Sequence, residues 1–205
     1  MENIYYIGGS PCCGKSTIAK KISDEYGFYY YNADDYWMEF VTKGAKDGDE
    51  WLSFISGTSF DRLWLETPEK LNERELTTYE KLFPYFTDEL YKLNKNMPVI
   101  AEGAAFLPNL VSKIGVGKTH YVCMVPTRNF QIQHYSKRSW VSDSLSSYSK
   151  KEEAFNNWME RDALFALSVL NQARKIDYTI LMVDGSKCVE DNFNFVIKTF
   201  GLNEI

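Results

Sequence analysis

The residues best equipped for chemistry lie together near the start of the chain: Gly9, Ser10, Pro11, Cys12, Cys13, Gly14, Lys15, Ser16 and Thr17. Two readings compete for them. Adjacent cysteines suggest a metal or redox pair, whereas the spacing G-x-x-x-x-G-K-S suggests a backbone cradle for phosphate. The metal reading fails on spacing, because Cys123 and Cys188 are remote, no histidine stands near, and neighbouring thiols make poor partners for each other. The four cysteines read as free thiols of a reducing cytosol. In the phosphate reading, Gly9 and Gly14 let the backbone turn so that its N–H groups converge on oxygens. A helix starting near Lys15 adds its positive end. Lys15 reaches the β- and γ-phosphates, and Ser16 offers its hydroxyl to Mg²⁺. Cys12 and Cys13 are then small fillers whose backbone does the binding.

Carboxylates form the second group. Asp34 and Asp35 follow one β-prone run, and Glu102, with Gly103, follows another. Acids in such places can hold Mg²⁺, directly or through water, or accept the proton of an attacking hydroxyl. Asp34 and Asp35 could also serve to cap a following helix.

Elements of the right type surround these residues. Residues 4–7 form a short buried strand, and Ile18, Ala19, Ile22 and Tyr26 then repeat at helical spacing up to a C-capping Gly27. Strand, loop and helix is the order required of the Walker A pattern. Further strands are expected at 28–31, 98–101, 119–125 and 179–183, separated by helical stretches. This βαβ repetition specifies an α/β fold with a five-stranded parallel sheet. Right-handed crossovers put the strand C-termini on one edge, which gathers Lys15, Ser16, Asp34, Asp35 and Glu102 around one crevice. A second Gly-Lys-Thr, ending at Thr119, has Ser112 where the first glycine belongs and reads as a turn entering a strand.

The Walker lysine, then ADDYW after the second strand, then VIAEGAAFLPNL, resemble the small-molecule P-loop kinases. In uridine-kinase-like members, Asp-x-Phe-Tyr and V-x-x-E-G-x-x-x-L segments stand in the same places. Shikimate kinase and chloramphenicol phosphotransferase are similar, with an acceptor-binding Asp after the second strand. The resemblance implies a three-layer αβα P-loop fold and transfer of the ATP γ-phosphoryl to a hydroxyl. It makes Asp34 the base, Asp35 an alternative base or magnesium group, and Glu102 a magnesium-linked or substrate-contacting acid beside Gly103. Glu102 departs from the aspartate usual in a Walker B strand. The resemblance also implies a lid, about 138–156, whose arginines close over the phosphoryl group; Arg138 and Arg161 match best and Arg128 less well. Gly185, in Asp184-Gly185-Ser186-Lys187, resembles the loop beneath the adenine ring.

The stretch after Arg128 reads as a helix through Trp140, carrying Lys137 and Arg138, and 142–153 as a polar, mobile loop, before a long helix containing Arg161. The stretch 38–96 is too long for one crossover helix. It reads as a helical insertion, clearest over 76–93, and carries many aromatic residues, among them Trp51, Phe60, Trp64 and Tyr79. Related kinases bind their acceptor here, and aromatic walls suit a ring-bearing or amphipathic one. Arg62 and Arg74 are its only arginines, which tilts the reading toward a neutral hydroxyl acceptor rather than a nucleoside monophosphate.

The 205 residues suit a single domain carrying this insertion. A net charge of -5 argues against non-specific nucleic-acid binding. No signal peptide or membrane-length apolar run is visible, so a cytoplasmic enzyme with no membrane partner is expected. A nucleoside monophosphate kinase is the nearest rival reading, and a nucleotide-dependent switch or ATPase is the rival from another class.

Overall fold

A computed structural model describes residues 3–58, 64–93, 97–146, 148 and 150–202. Phe60 and Arg62 lie outside the described residues. The fold is α/β, built on five parallel strands in the order β2-β3-β1-β4-β5. The strands are β1 Ile4–Gly9, β2 Tyr29–Asn32, β3 Val99–Glu102, β4 Tyr121–Pro126 and β5 Thr179–Val183. All five fall where the apolar runs predict them, with shifted ends. β1 continues through Gly8 and Gly9 despite their poor strand propensity, because they stand in register with Cys123 and Met124 of β4. β4 starts late because Lys118–His120 forms a 3₁₀ turn, the turn expected ahead of that strand.

Side chains alternate across the sheet and build a core on each face. On one face Ile7, Val122 and Met124 meet Ile18 and Ile22 of α1 (Lys15–Tyr26) and Phe193 and Val196 of α9 (Val189–Phe200). On the other, Tyr6, Tyr31 and Cys123 meet Phe86 and Leu90 of α4 (Pro68–Lys92) and Phe165 and Val169 of α8 (Lys151–Ile176). The arrangement is compatible with three αβα layers.

The described part of the connection from β2 to β3 is made of helices joined by turns. It holds α2 (Ala33–Lys46), α3 (Glu50–Gly57) and α4. α4 begins well before residue 76, because the Thr67 side chain caps it and Pro68 occupies its first turn. After β3 comes α5 (Pro108–Lys113).

Past β4 the structure departs from expectation. The chain forms α6 (Arg128–Tyr135), breaks, and resumes as α7 (Ser139–Ser144). In the serine-rich stretch read as a mobile loop, Leu145 and Tyr148 are buried in a small cluster with Tyr135, Ala154 and Trp158. Two well-placed apolar side chains hold this segment where average composition suggested freedom. Among the described residues, no helix is long and apolar enough to cross a membrane.

Candidate active site

β1 feeds α1 on one face of the sheet, while the chain leaving β3 and β4 reaches α5 and α8 on the other. The crevice beyond the end of β1 is therefore where crossovers diverge, the usual ligand site of an open parallel sheet. The loop after β1 lies there. Gly9 has φ +121, and a Cβ on it would collide with the Met124 carbonyl, so β4 packs against this turn as closely as backbone permits. Cys12 (φ 69) and Gly14 (φ 85) are both left-handed, which folds the loop tightly before α1. Ser10 N–H donates to Met124 O at 3.0 Å and fixes the loop to β4.

The helix start is left open. Gly14 supplies no side-chain cap, and the first turn of α1 contains no acid. Among the described residues, no backbone carbonyl accepts a hydrogen bond from the N–H groups of residues 12 to 17, although the Cys13 thiol draws on those of Lys15 and Cys13. The Ser10 hydroxyl, fully buried, also has no partner among them. A run of donors without carbonyl partners at a helix N-terminus is suited to an anion.

Lys15 completes the loop. It is only 8% exposed, and Nζ donates to Ser10 O at 2.8 Å. Burial works against its charge, but Cys13, Glu102 and Asp34 outweigh burial and hold its pKa above the ordinary value. Burial pushes the Cys13 thiol up, and this thiol donates to Ser10 O and Met124 O at 3.1 and 3.3 Å. Cys13 is thus a structural filler of the loop, and Glu102 and Asp34 remain as electrostatic partners of Lys15.

The acids sit on adjoining strand ends, where β1 and β2 pair with β3 so that Ile7 and Asn32 are both level with Glu102. Glu102 is buried and accepts a 2.9 Å hydrogen bond from Tyr30. The same Tyr30 hydroxyl lies near the exposed Ser16, and burial, then Glu102, pushes its pKa up. Gly103 follows with φ +153, and a Cβ there would press on Ala33 at 2.7 Å, so glycine lets β3 approach the start of α2 closely.

Asp34 and Asp35 occupy the first turn of α2, but neither is its cap. Asn32 is, its Oδ1 accepting from Asp34 N–H at 3.1 Å while its Nδ2 donates to Asp35 at 3.0 Å. Asp35 is thereby held at the helix end. Asp34 opens toward the crevice though protein surrounds it. Its pKa is raised, first by burial and then by Glu102, Glu75 and Asp35, against the opposing pull of Lys15.

Two cavities flank these groups. One, of about 350 Å³, is lined by Asp34 with Trp37, Met38 and Ile55 on one side and Leu71, Arg74, Glu75, Tyr79 and Arg161 on the other. The second, of about 250 Å³, lies between Cys12–Gly14 and Thr17 of the loop, Phe130 and Arg138 beyond α6's start, and Lys187 and Asn192 after β5. Gly185 does not line it, but a Cβ there would come within 3.0 Å of the wall residue Phe130.

The arginines expected to act together therefore stand in different cavities. Arg138 lies in the smaller one, with its guanidinium 5.4 Å from the Tyr135 ring centre. Arg161, on α8, is buried in the wall of the larger one and bound to Glu75 of α4 at 2.7 Å and to Asp162 at 2.6 Å. Arg128 pairs with Glu160 outside both.

Sequence reasoning missed Tyr30, Glu75, Gln131 and Asp162. Gln131 is buried and joins the loop to α8, donating to Pro11 O at 3.3 Å and to Asp162 at 3.4 Å. The available signal was Arg161-Asp162 on the inward side of an amphipathic helix, since such charges are rarely buried unless paired.

Set against known protein families and curated protein sequences, the chain matches none. Among solved structures it is similar to an uncharacterized protein from Eubacterium ventriosum, at 14% identity and a TM-score of 0.46, over 98% of this chain and 99% of that one.

Proposed function

We propose that the protein is a P-loop small-molecule kinase, transferring the γ-phosphoryl of ATP to a hydroxyl group, with Asp34 as the base. The observation that carries this reading is the loop after β1. Its backbone donors at 12 to 17 have no carbonyl partner among the described residues, its lysine is buried, and an acid with a raised pKa stands across the crevice. Such a loop fits a triphosphate, with the nucleobase in the smaller cavity and the acceptor, beside Asp34, in the larger.

Within this reading each residue has a duty. The backbone of residues 12 to 17 and the Lys15 ammonium hold the phosphate oxygens and stabilise charge that spreads over them in the transition state. Arg138, beside Cys12, adds positive charge on the nucleotide side. Asp34 takes the proton of the acceptor hydroxyl as its oxygen bonds to the γ-phosphorus. The bond from that phosphorus to the bridging oxygen breaks, and ADP carries the electron pair away. A base whose pKa is raised from the usual carboxylate range lies nearer working pH.

Magnesium, bound with the nucleotide, would neutralise phosphate charge. The donors present suit a hard cation: the exposed Ser16 hydroxyl, and Glu102 behind Tyr30. Among the described residues no three His, Cys, Asp or Glu side chains converge, so the protein would contribute few direct ligands, as is usual for magnesium held with phosphates. Asp35, engaged by Asn32, is the least available of the acids.

The test is an ADP-release screen with ATP and magnesium against a library of hydroxyl compounds. At least one compound should raise ADP release well above the water-driven background, and Asp34→Asn should abolish the increase while ADP still binds. Full transfer by Asp34→Asn would remove Asp34 as base. A crystal soaked with ATP showing nucleotide away from the loop would remove the whole reading.

A further inference from the structure

We infer that the larger cavity accepts a ring-bearing alcohol without an anionic group, and rejects phosphorylated or carboxylated ones. That this alcohol is the phosphoryl acceptor rests on the phosphotransfer reading; the cavity's charge is independent of it.

Two guanidinium groups line the cavity, and at first sight they could clamp a phosphate. Each is already taken. Arg74 is paired with Glu66. Arg161 reaches Glu75 through Nη1 at 2.7 Å, has Asp162 at 2.6 Å from Nε, and lies with its guanidinium 4.8 Å from the Trp64 ring centre. Glu75 also holds the Tyr79 hydroxyl. The Arg74 Nη1 group is unpartnered among the described residues, but it is shut off from cavity and solvent alike.

Asp34 then adds a carboxyl that no described cation pairs with directly. Asp34 and Glu75 line the cavity, Glu66 and Asp162 stand behind its two guanidinium groups, and these four carboxyl groups face two guanidinium groups and one ammonium, Lys15, among the described residues. Lys15, the other cation near Asp34, is held in the loop by Ser10 O. An entering anion would meet net negative charge and would have to break an existing ion pair to gain a partner.

The remaining wall is apolar and aromatic: Trp37, Met38, Ile55, Leu71 and the Tyr79 ring. A volume of about 350 Å³ suits a ring of modest size, which such walls hold by stacking and apolar contact. A cation on that molecule is favoured by the same fields that repel an anion.

Three probes with the same phenyl ring and one hydroxyl separate the cases: neutral 3-phenyl-1-propanol, cationic phenylalaninol and anionic 3-phenyllactate. Binding to the full chain without nucleotide is read from tryptophan fluorescence, with Trp37 and Trp64 in the wall. The neutral and cationic probes should bind, and the anion should bind about tenfold more weakly or worse at low ionic strength. The gap should narrow near 1 M salt, where screening is strong. It should narrow again in Glu75→Gln, which frees Arg161 from one of its acids.

Phenyllactate binding as tightly as the other two would overturn the inference, as would failure of all three on protein shown to be folded by its melt. Correctly ordered binding with no ADP release from any hydroxyl compound would end the phosphotransfer reading and leave the cavity's selectivity intact. ADP release driven by an anionic acceptor in this cavity would do the opposite.

Discussion

Gly9 and Gly14 are both glycine for backbone reasons, yet substitution should separate them. Each has positive φ, but a Cβ at Gly14 meets nothing within 4 Å, whereas one at Gly9 runs into the Met124 carbonyl. Gly14→Ala should cost about 1–2 kcal/mol, the penalty of a left-handed L-residue. Gly9→Ala should cost several times more, because β4 must move as well; midpoints of urea unfolding read both. Equal losses would show that the Met124 contact has no energetic weight. Asp34 offers a second residue-scale outcome through its raised pKa. Well below the ordinary aspartate pKa of 3.8, the folded and unfolded carboxyl groups are both protonated, so the group adds nothing to stability. As pH rises, the unfolded carboxyl ionises first, and folding then loses stability that is not regained at neutral pH. Asp34→Asn should therefore melt higher than the parent at pH 7, with the advantage shrinking as pH falls and vanishing only below the ordinary aspartate pKa of 3.8. A constant difference across that range would contradict the raised pKa. A site residue that costs stability and is retained is expected where function sets the choice.

At the scale of elements, the loop after β1 was legible because its signal is local: glycine spacing, a lysine, and apolar runs of the right period on either side. Asn32 capping α2 and Thr67 capping α4 are local signals as well, present in the sequence and underread. What joins elements to one another was not legible. Arg161 could be nominated from its place on a long helix, but its commitment to Glu75 depends on α4 and α8 packing side by side. The break after Tyr135 and the burial of Leu145 and Tyr148 depend likewise on Trp158 arriving from α8. Gln131 is the clearest such joint, since it links the loop's Pro11 carbonyl to Asp162, which in turn bears on Arg161 and the larger cavity. Gln131→Leu keeps the volume and removes both bonds. The bonds are long, at 3.3 and 3.4 Å, but one acceptor is a buried carboxyl, so the loss should be about 1–2 kcal/mol in urea unfolding. No change in stability would mean that loop and α8 are held together by other contacts.

Across the whole molecule, five strands and their parallel sense could be read from the chain, but their order could not. Apolar runs do not say that β1 lies between β3 and β4, and it is this placement that opens the crevice beyond the loop and leaves a cavity on either side of it. Asp34 and Arg161 fall on one side, Arg138 and Lys187 on the other, so ligands of the two cavities should be separable by one substitution in the loop between them. Lys15→Met keeps most of the buried stem and removes the ammonium. In the parent, ADP with magnesium at about a hundred times its dissociation constant should stabilise the folded state by about 2.7 kcal/mol, seen as a higher melting temperature. Lys15→Met should lose most of that shift, because the charge facing the phosphates is gone, while the fluorescence response to 3-phenyl-1-propanol in the larger cavity stays close to that of the parent. If the variant keeps the full ADP shift, the nucleotide does not use the loop, and the backbone donors at 12 to 17 serve some other anion. If it loses the response to both ligands, the two cavities are one site and the sheet does not divide them.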